Sequence, residues 1–155
     1  MEALAGTVTL LVAEDEPNDL ELIRRALKVV DFSGEPRWVK DGQELLDFLW
    51  DWLCLTAGDE AEPLVVLLDL NMPRTNGCEV LAALGKHPAL HGIPVVALLS
   101  RWSDDEVRRA CALGADVCIP KPRDFAGFVD ALKVVDRGWM SRLVASKRRA
   151  ARACR

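Results

Sequence analysis

Four side chains that could do chemistry lie at the carboxyl ends of predicted β-strands. Glu14 and Asp15 follow one apolar run, Asp69 follows the run Leu64–Leu68, and Lys121 follows a third. In open α/β sheets, ligands bind beyond the carboxyl ends of the strands, at the switch in strand order. We therefore expect the three carboxylates and the amine to meet at one edge of a sheet.

Such a cluster favours a particular chemistry. Three neighbouring carboxylates do not all stay ionised cheaply without a cation. Oxygen ligands select a hard ion, and Mg²⁺, which binds one or two carboxylates with waters and phosphate oxygens, fits best. Lys121 adds a point charge suited to an anion. The cluster is predicted to hold a phosphoryl group beside Mg²⁺, with one carboxylate as nucleophile.

The elements that would position these side chains alternate between strand and helix. Apolar runs rich in β-forming residues are each followed by a segment with helical spacing or helix-capping residues. The predicted strands are Thr7–Ala13, Pro36–Val39, Leu64–Asp69, Ile93–Leu99 and Ala115–Ile119. Continuous apolar strands are typical of parallel sheets covered on both faces, so we expect an α/β fold with a doubly wound parallel sheet.

Composition limits the classes of protein. The chain has 155 residues, half of them apolar and 28% charged, which is typical of one globular domain. No apolar run approaches the roughly 20 residues of a membrane span, and the N-terminus has no basic signal-peptide region. The five cysteines form no CxxC motif, which favours free thiols in a reducing cytoplasm over a zinc or redox motif.

Charge is distributed unevenly along the chain. Residues 141–155 carry six Lys/Arg side chains and no acids, whereas the preceding part is acidic. A basic run can contact nucleic acid or a membrane. No aromatic residue interleaves these charges, so a solvated C-terminal extension is favoured and a nucleic-acid partner is not expected.

Together these motifs resemble the receiver domain of bacterial two-component response regulators, over Thr7 to about Val135. The resemblance implies a flavodoxin-like topology with strand order 2-1-3-4-5. It rests on motifs that occur in the family's order, and the 52-residue spacing from Asp69 to Lys121 also fits the family. They are Glu14-Asp15, Asp69 in LLDLNMP with Gly77 after it, IPVV at Ile93–Val96, and Lys121-Pro122.

A narrower resemblance is to the stand-alone regulators that partner phytochrome-type histidine kinases. It rests on LLDLNMPRTNG, HPAL, KPRDF, the acidic loop before the third strand, and Trp139. It implies a phosphoacceptor signalling module rather than an enzyme, phosphorylated by a histidine kinase such as a bacteriophytochrome. Residues 1–140 would form the receiver domain and 141–155 a basic extension, with no output domain. The downstream target stays open.

The resemblance also implies roles for individual residues. Asp69 would accept the phosphoryl group from a phosphohistidine. Asp15 would bind Mg²⁺ directly, Glu14 directly or through water, and Asn71 through its backbone carbonyl. Lys121 would pair with the carboxylate and then with a phosphoryl oxygen. In the family the peptide bond after this lysine is often cis.

Two positions depart from the family pattern. Where the family has a Thr or Ser that binds the phosphoryl group, this chain has Leu99, and Ser100 comes one residue late. A shift of one residue in a strand points to the opposite face, so rescue by Ser100 is open but not favoured. Where the family has a switch aromatic, this chain has Cys118. The alternative is therefore a receiver-like interaction module with weak or atypical phosphorylation switching.

A third functional class is an aspartate-nucleophile phosphatase of similar fold. Those enzymes typically carry a second Asp two residues after the nucleophile, and this chain has Asn71 there. We rank this class low.

The last predicted helix carries an apolar stripe that continues beyond the expected core. Its apolar residues recur every three or four positions and include Trp139 and Leu143. An overlong apolar stripe with a large aromatic suggests a partner surface, so we expect a homodimer that uses these two residues. The alternative is that both fold back onto their own domain.

Overall fold

The computed structural model describes residues 8–32, 34–55, 64–72 and 76–136. Within these ranges five strands alternate with five helices, as the sequence predicted. In chain order they are β1 (Thr9–Ala13), α1 (Pro17–Val29), β2 (Glu35–Val39), α2 (Gly42–Leu55), β3 (Leu64–Asp69), α3 (Gly77–Lys86), β4 (Val95–Leu99), α4 (Asp104–Leu113), β5 (Val117–Pro120) and α5 (Phe125–Asp136).

The strands form one parallel sheet in the order β2-β1-β3-β4-β5. This confirms the predicted doubly wound sheet and its flavodoxin-like strand order. The chain runs from β1 outward to β2 and then crosses to β3 on the other side of β1. The switch in strand order therefore lies between β1 and β3, where such folds bind ligands.

The sheet is covered on both faces. Alternate strand residues face opposite sides. Leu11, Val66 and Leu68 pack with residues of α2, α3 and α4, whereas Leu10 and Val65 pack with residues of α1 and α5. Every residue of β1, β3 and β4 is buried, which explains why their sequences are apolar without alternation.

The register brings the strand ends to a common level. Ala13 of β1 pairs with Leu68 of β3, so the next residues, Glu14 and Asp69, emerge side by side. Asp69 itself pairs with Leu98 of β4. In the same way Leu99 and Pro120 pair at the ends of β4 and β5, and the Lys121 N–H donates to the Leu99 carbonyl at 2.8 Å.

Helix caps follow the sequence signals in most places. Ser103 Oγ accepts from the Glu106 N–H at 3.2 Å, and Asp124 Oδ1 accepts from the Gly127 N–H at 2.8 Å. Helix α4 ends at Gly114, whose φ of 118° lies in the left-handed region that favours glycine.

Strand β5 begins later than predicted, at Val117 instead of Ala115. The Ala115 N–H donates to the Ala110 carbonyl at 3.0 Å and so still belongs to the end of α4. Helix capping thus takes Ala115, whereas the Asp116 N–H already donates to the Val95 carbonyl at the start of β4, at 2.9 Å.

Candidate functional site

Three acidic side chains meet at the carboxyl ends of β1 and β3. Glu14, Asp15 and Asp69 each offer one carboxylate oxygen, and these oxygens all lie within 4.8 Å of one another. Glu14 and Asp69 are buried, with 1% and 2% of their surface exposed, and Asp15 is partly exposed. The structure therefore brings together the three carboxylates that the sequence singled out.

The Lys121 ammonium lies among these acids. Its Nζ is 2.7 Å from Asp69 Oδ2, 2.8 Å from Glu14 Oε1 and 2.8 Å from Asp19 Oδ2. The peptide bond to Pro122 is trans, since the described residues contain no cis peptide. The cis bond that is frequent in the family is not found here, and the lysine still reaches the cluster.

Sequence analysis missed the part played by Asp19. It lies in the first turn of α1, which begins directly beyond the end of β1. An acid in that turn lies beside the strand end, and this was the available signal. Glu16 is the N-cap of α1, where its Oε1 accepts from the Asn18 N–H at 3.1 Å.

The Glu14 carboxylate is held by the backbone on one side only. Its Oε2 accepts from the N–H groups of Asp15 at 3.1 Å and Glu16 at 3.3 Å. Its buried Oε1 lies at ion-pair distance from Lys121 but has no well-aligned hydrogen bond. Burial, and then the close approach and negative charge of Asp69, raise the pKa of Glu14 to about 7 against the opposing effect of Lys121.

The charge of Lys121 is secured by its partners. Burial alone would lower the pKa of this ammonium, but its close contacts with the carboxylates of Asp19, Asp69 and Glu14 outweigh burial and hold the pKa above its ordinary value. Among the described residues, one positive charge thus faces several carboxylates, so the cluster is short of positive charge.

A divalent cation suits this arrangement. Glu14, Asp15 and Asp69 supply oxygen ligands, which hard cations prefer. Glu14 Oε1 is buried and lacks a hydrogen bond, so it has a lone pair free for a ligand. The charge deficit points the same way, and the cluster can bind a divalent metal.

Asn71 links the loop after β3 to the end of β4. Its N–H donates to Asp69 Oδ1 at 2.9 Å, and its side-chain Oδ1 accepts from the Ser100 N–H at 2.9 Å. Asn71 and Ser100 are both exposed. Asn71 therefore orients the Asp69 carboxylate while it anchors the neighbouring loop.

The two atypical positions lie beside this cluster. Leu99 ends β4 with 3% of its surface exposed and packs into the core on the α4 side of the sheet. Cys118 is partly buried in β5, and its Sγ lies 4.0 Å from the Sγ of Cys111 in α4. An apolar side chain and a thiol thus stand where the sequence comparison expected a hydroxyl and an aromatic ring.

Two sequence predictions fall outside the described residues. Trp139 and Leu143, expected at a dimer interface, belong to residues 137–155, as does the basic extension. In the described part of the chain, no helix combines the length and apolar character needed to cross a membrane.

A family model, described as the response regulator receiver domain, matches residues 10–133. The chain belongs to this family. Receiver domains take phosphoryl groups from histidine kinases as their general role, and they act in signalling rather than as classical enzymes. The predicted family is confirmed.

Relatives that resemble this receiver domain cover most of its length. The probable methanogenesis regulatory protein FilR2 of Methanothrix harundinacea is 33% identical over 84% of this chain and 83% of its own. The response regulator RPA3017, in red-light signalling of R. palustris, is 32% identical over 85% of this chain and 93% of that chain, with a TM-score of 0.75.

Two further solved structures relate to the chemistry of the site. The phosphorylated cyanobacterial phytochrome response regulator RcpA has a TM-score of 0.73 and 28% identity, over 88% of this receiver domain and 96% of that chain. The Mn(2+)-bound form of response regulator Rcp1 has a TM-score of 0.68 and 28% identity, over 84% and 93%. This receiver domain is therefore similar to phytochrome-associated response regulators.

Proposed function

We propose that this receiver domain accepts a phosphoryl group on Asp69 from the phosphohistidine of a histidine kinase, beside Mg²⁺. The placement of the Asp69 carboxylate carries the proposal. One oxygen accepts from the Asn71 N–H at 2.9 Å and the other from Lys121 Nζ at 2.7 Å, at the switch in strand order. The carboxylate is thus oriented beside a fixed positive charge, as a nucleophile toward phosphorus requires.

In the proposed transfer, an Asp69 oxygen attacks phosphorus. An O–P bond forms as the P–N bond of phosphohistidine breaks, and the electron pair of the broken bond returns to the imidazole nitrogen. Lys121 balances the Asp69 charge beforehand and is placed to bind a phosphoryl oxygen afterwards. Glu14, Asp15, Asp69 and the Asn71 carbonyl would hold Mg²⁺, which supplies positive charge for the phosphoryl oxygens.

Incubation with Mg²⁺ and acetyl phosphate, followed by intact mass measurement, tests the acceptor. Wild type should gain one phosphoryl group, and Asp69→Asn should gain none. Asp130→Asn, which changes an exposed acid on α5, is the matched control and should be phosphorylated like wild type. Phosphorylation of Asp69→Asn would overturn the assignment.

A phytochrome-type kinase is the proposed phosphodonor. The support is similarity to RPA3017, described in red-light signalling, and to the phytochrome response regulator RcpA. Purified kinases, autophosphorylated with labelled ATP, would be mixed with the receiver and sampled over time. Transfer from a bacteriophytochrome should be faster than from a histidine kinase of another input class. Equal rates would contradict this pairing and leave the Asp69 assignment intact.

A second candidate is a receiver-like interaction module with weak or atypical phosphorylation switching. The buried, apolar Leu99 and the small Cys118 favour it, because neither offers the usual contact to a phosphoryl group. The mass experiment distinguishes the two functions, since an interaction module would gain little phosphate under conditions that saturate a working receiver.

We also propose a cytoplasmic location and a division into a receiver domain, 1–140, and a basic extension, 141–155. Support for the location is chemical: Cys54, Cys78, Cys111 and Cys118 are all free thiols, which a reducing compartment preserves. Deletion of residues 141–155 should leave acetyl phosphate labelling unchanged if the division is right.

A further inference from the structure

Cys111 and Cys118 form a thiol pair between α4 and β5. Their Sγ atoms are 4.0 Å apart, in a contact where either thiol can be the hydrogen-bond donor. Cys111 is exposed on α4, whereas Cys118 is partly buried and packs against the core beneath that helix. A reagent in solution can therefore reach the Cys111 thiol more easily than the Cys118 thiol beneath it.

The backbone between the two cysteines is fixed at both ends. Gly114 closes α4 with its N–H donating to the Cys111 carbonyl at 3.1 Å. The Asp116 N–H donates to the Val95 carbonyl at 2.9 Å, and its carboxylate accepts from the Val95 N–H at 2.8 Å. Side-chain rotation is thus the main movement that could bring the sulfurs to a bond length of about 2.05 Å.

We propose that Cys111 and Cys118 are an oxidation site that closes to an intramolecular disulfide with a low-molecular-weight disulfide as the oxidant. The Cys111 thiolate attacks the oxidant, forms a mixed disulfide and releases one small thiolate. Cys118 gives up its proton to solvent and attacks the Cys111 sulfur, releasing the second small thiolate. Two electrons pass from the protein to the oxidant, which leaves as two thiols.

Exposure sets the order of the two attacks. Cys111 meets the oxidant first because it faces solvent. Burial, and then the neighbouring Cys111, raise the pKa of Cys118 to about 11, so Cys118 is a poor first nucleophile near neutral pH. Its proximity to the Cys111 sulfur then favours ring closure over attack by a second small thiol.

The disulfide would tie α4 to β5 at the position where resembling proteins carry the switch aromatic. Oxidation would thereby restrain the surface formed by α4 and β5. The chemistry requires nothing of Asp69 or of a metal, so the inference stands or falls independently of the proposed phosphoryl transfer.

Mass spectrometry after incubation with oxidised glutathione tests the site. Trypsin leaves both cysteines in one peptide, residues 110–123, because it does not cut between Lys121 and Pro122. We expect this peptide to lose the mass of two hydrogen atoms. Cleavage before Asp116 should then give two pieces that separate only on reduction. Cys111 and Cys118 should then both resist alkylation until the protein is reduced.

Matched variants separate this site from general thiol oxidation. Cys54→Ser should still close the disulfide, because Cys54 is exposed and lies elsewhere, on α2. Cys118→Ser should retain glutathione on Cys111 without closing. Two outcomes would overturn the proposal: Cys111 and Cys118 both remain alkylatable in the oxidised wild type, or the disulfides join separate chains instead.

Discussion

The Lys121 ammonium and the Asp69 carboxylate lie 2.7 Å apart although 52 residues separate them in sequence. Their side chains are 13% and 2% exposed, so solvent screens the pair poorly. Glu14 and Asp19 approach the same ammonium at 2.8 Å. Lys121 is therefore the positive charge around which the acidic cluster is assembled.

Removal of this ammonium should destabilise the metal-free protein. In Lys121→Met the buried carboxylates lose their partner, and we expect a loss of about 3–5 kcal/mol in the free energy of unfolding. Mg²⁺ should restore part of it by binding the folded state. Urea unfolding with chelator and with Mg²⁺ measures both effects. Lys133→Met, on the exposed side of α5, should change stability by no more than about 0.5 kcal/mol. Equal stability of Lys121→Met and wild type in chelator would refute the prediction.

Replacement of Glu14 should stabilise the metal-free protein, whereas removal of Lys121 should destabilise it. Its pKa is about 7 in the fold against an ordinary 4.5, so the fold binds the proton more tightly than the unfolded chain does. The stability from this proton is present below pH 4.5 and is lost as pH rises through 7. The side chain of Glu14→Gln stays neutral at every pH. The amount by which its free energy of unfolding exceeds that of wild type should therefore grow by about 1 kcal/mol or more from pH 4.5 to above pH 7.

Urea unfolding in chelator at pH 4.5 and pH 8 checks this prediction for Glu14→Gln. Glu79→Gln, which alters an exposed acid on α3, is the control and should show a constant difference from wild type. The same Glu14→Gln protein should bind Mg²⁺ more weakly, because one charged ligand is gone. A stability difference independent of pH would contradict the electrostatic account of Glu14.

Phosphorylation should alter the surface formed by α4 and β5 only weakly in wild type. Leu99 has no polar group for a phosphoryl oxygen to attract, and Cys118 is too small to act as the usual aromatic lever. A hydroxyl donating to a charged oxygen is worth about 1.5–3 kcal/mol, so Leu99→Thr should strengthen the response. Amide hydrogen exchange at residues 115–119, with and without beryllium fluoride, measures the change. Ser100→Ala is the companion variant: a large wild-type response that disappears in it would show that Ser100 supplies the missing contact.

A homodimer is expected to use the apolar stripe beyond α5. Phe128, Leu132 and Val135 are already buried in the chain's own core, so they are not free for a partner. The stripe continues in sequence to Trp139 and Leu143, which lie outside the described residues. Light scattering at tens of micromolar, an ordinary range for weak dimers, should show a dimer that Trp139→Ala and Leu143→Ala weaken. A wild-type monomer at that concentration would reject the hypothesis, and Trp50→Ala, an exposed tryptophan on α2, should leave the dimer intact.

The sheet could be predicted because its buried strands have continuous apolar sequences. Strand β3 was expected at Leu64–Asp69 and has those bounds, since a continuous apolar run is buried best where both faces of a parallel sheet are covered. The first residues of strands were harder to predict. Strand β4 begins at Val95 rather than at Ile93, because the Ile93 N–H donates to the Leu90 carbonyl in a turn, at 3.1 Å. Local hydrogen bonding decided such boundaries against β propensity.

Part of the candidate site could also be predicted from the sequence, and part of it could not. The strand-end rule predicted that Glu14, Asp15, Asp69 and Lys121 would converge, and the register brings them together. The rule could not find Asp19, whose contact with Lys121 depends on how α1 is rotated over the sheet. The pairing of the Cys111 and Cys118 thiols was invisible for a similar reason, because it depends on how α4 packs over β5.

Strand β5 has consequences for the order in which the site is completed. It lies at the edge of the sheet, has four residues and is only partly buried, whereas β1, β3 and β4 are fully buried. Elements with little burial open at lower free energy than the core. A chain that has folded through β4 would hold all its acids without their cation, because Lys121 arrives with β5. Docking of β5 therefore supplies the ammonium that partly balances the acids, and fraying of that edge would expose an acidic patch while the rest of the sheet stays intact.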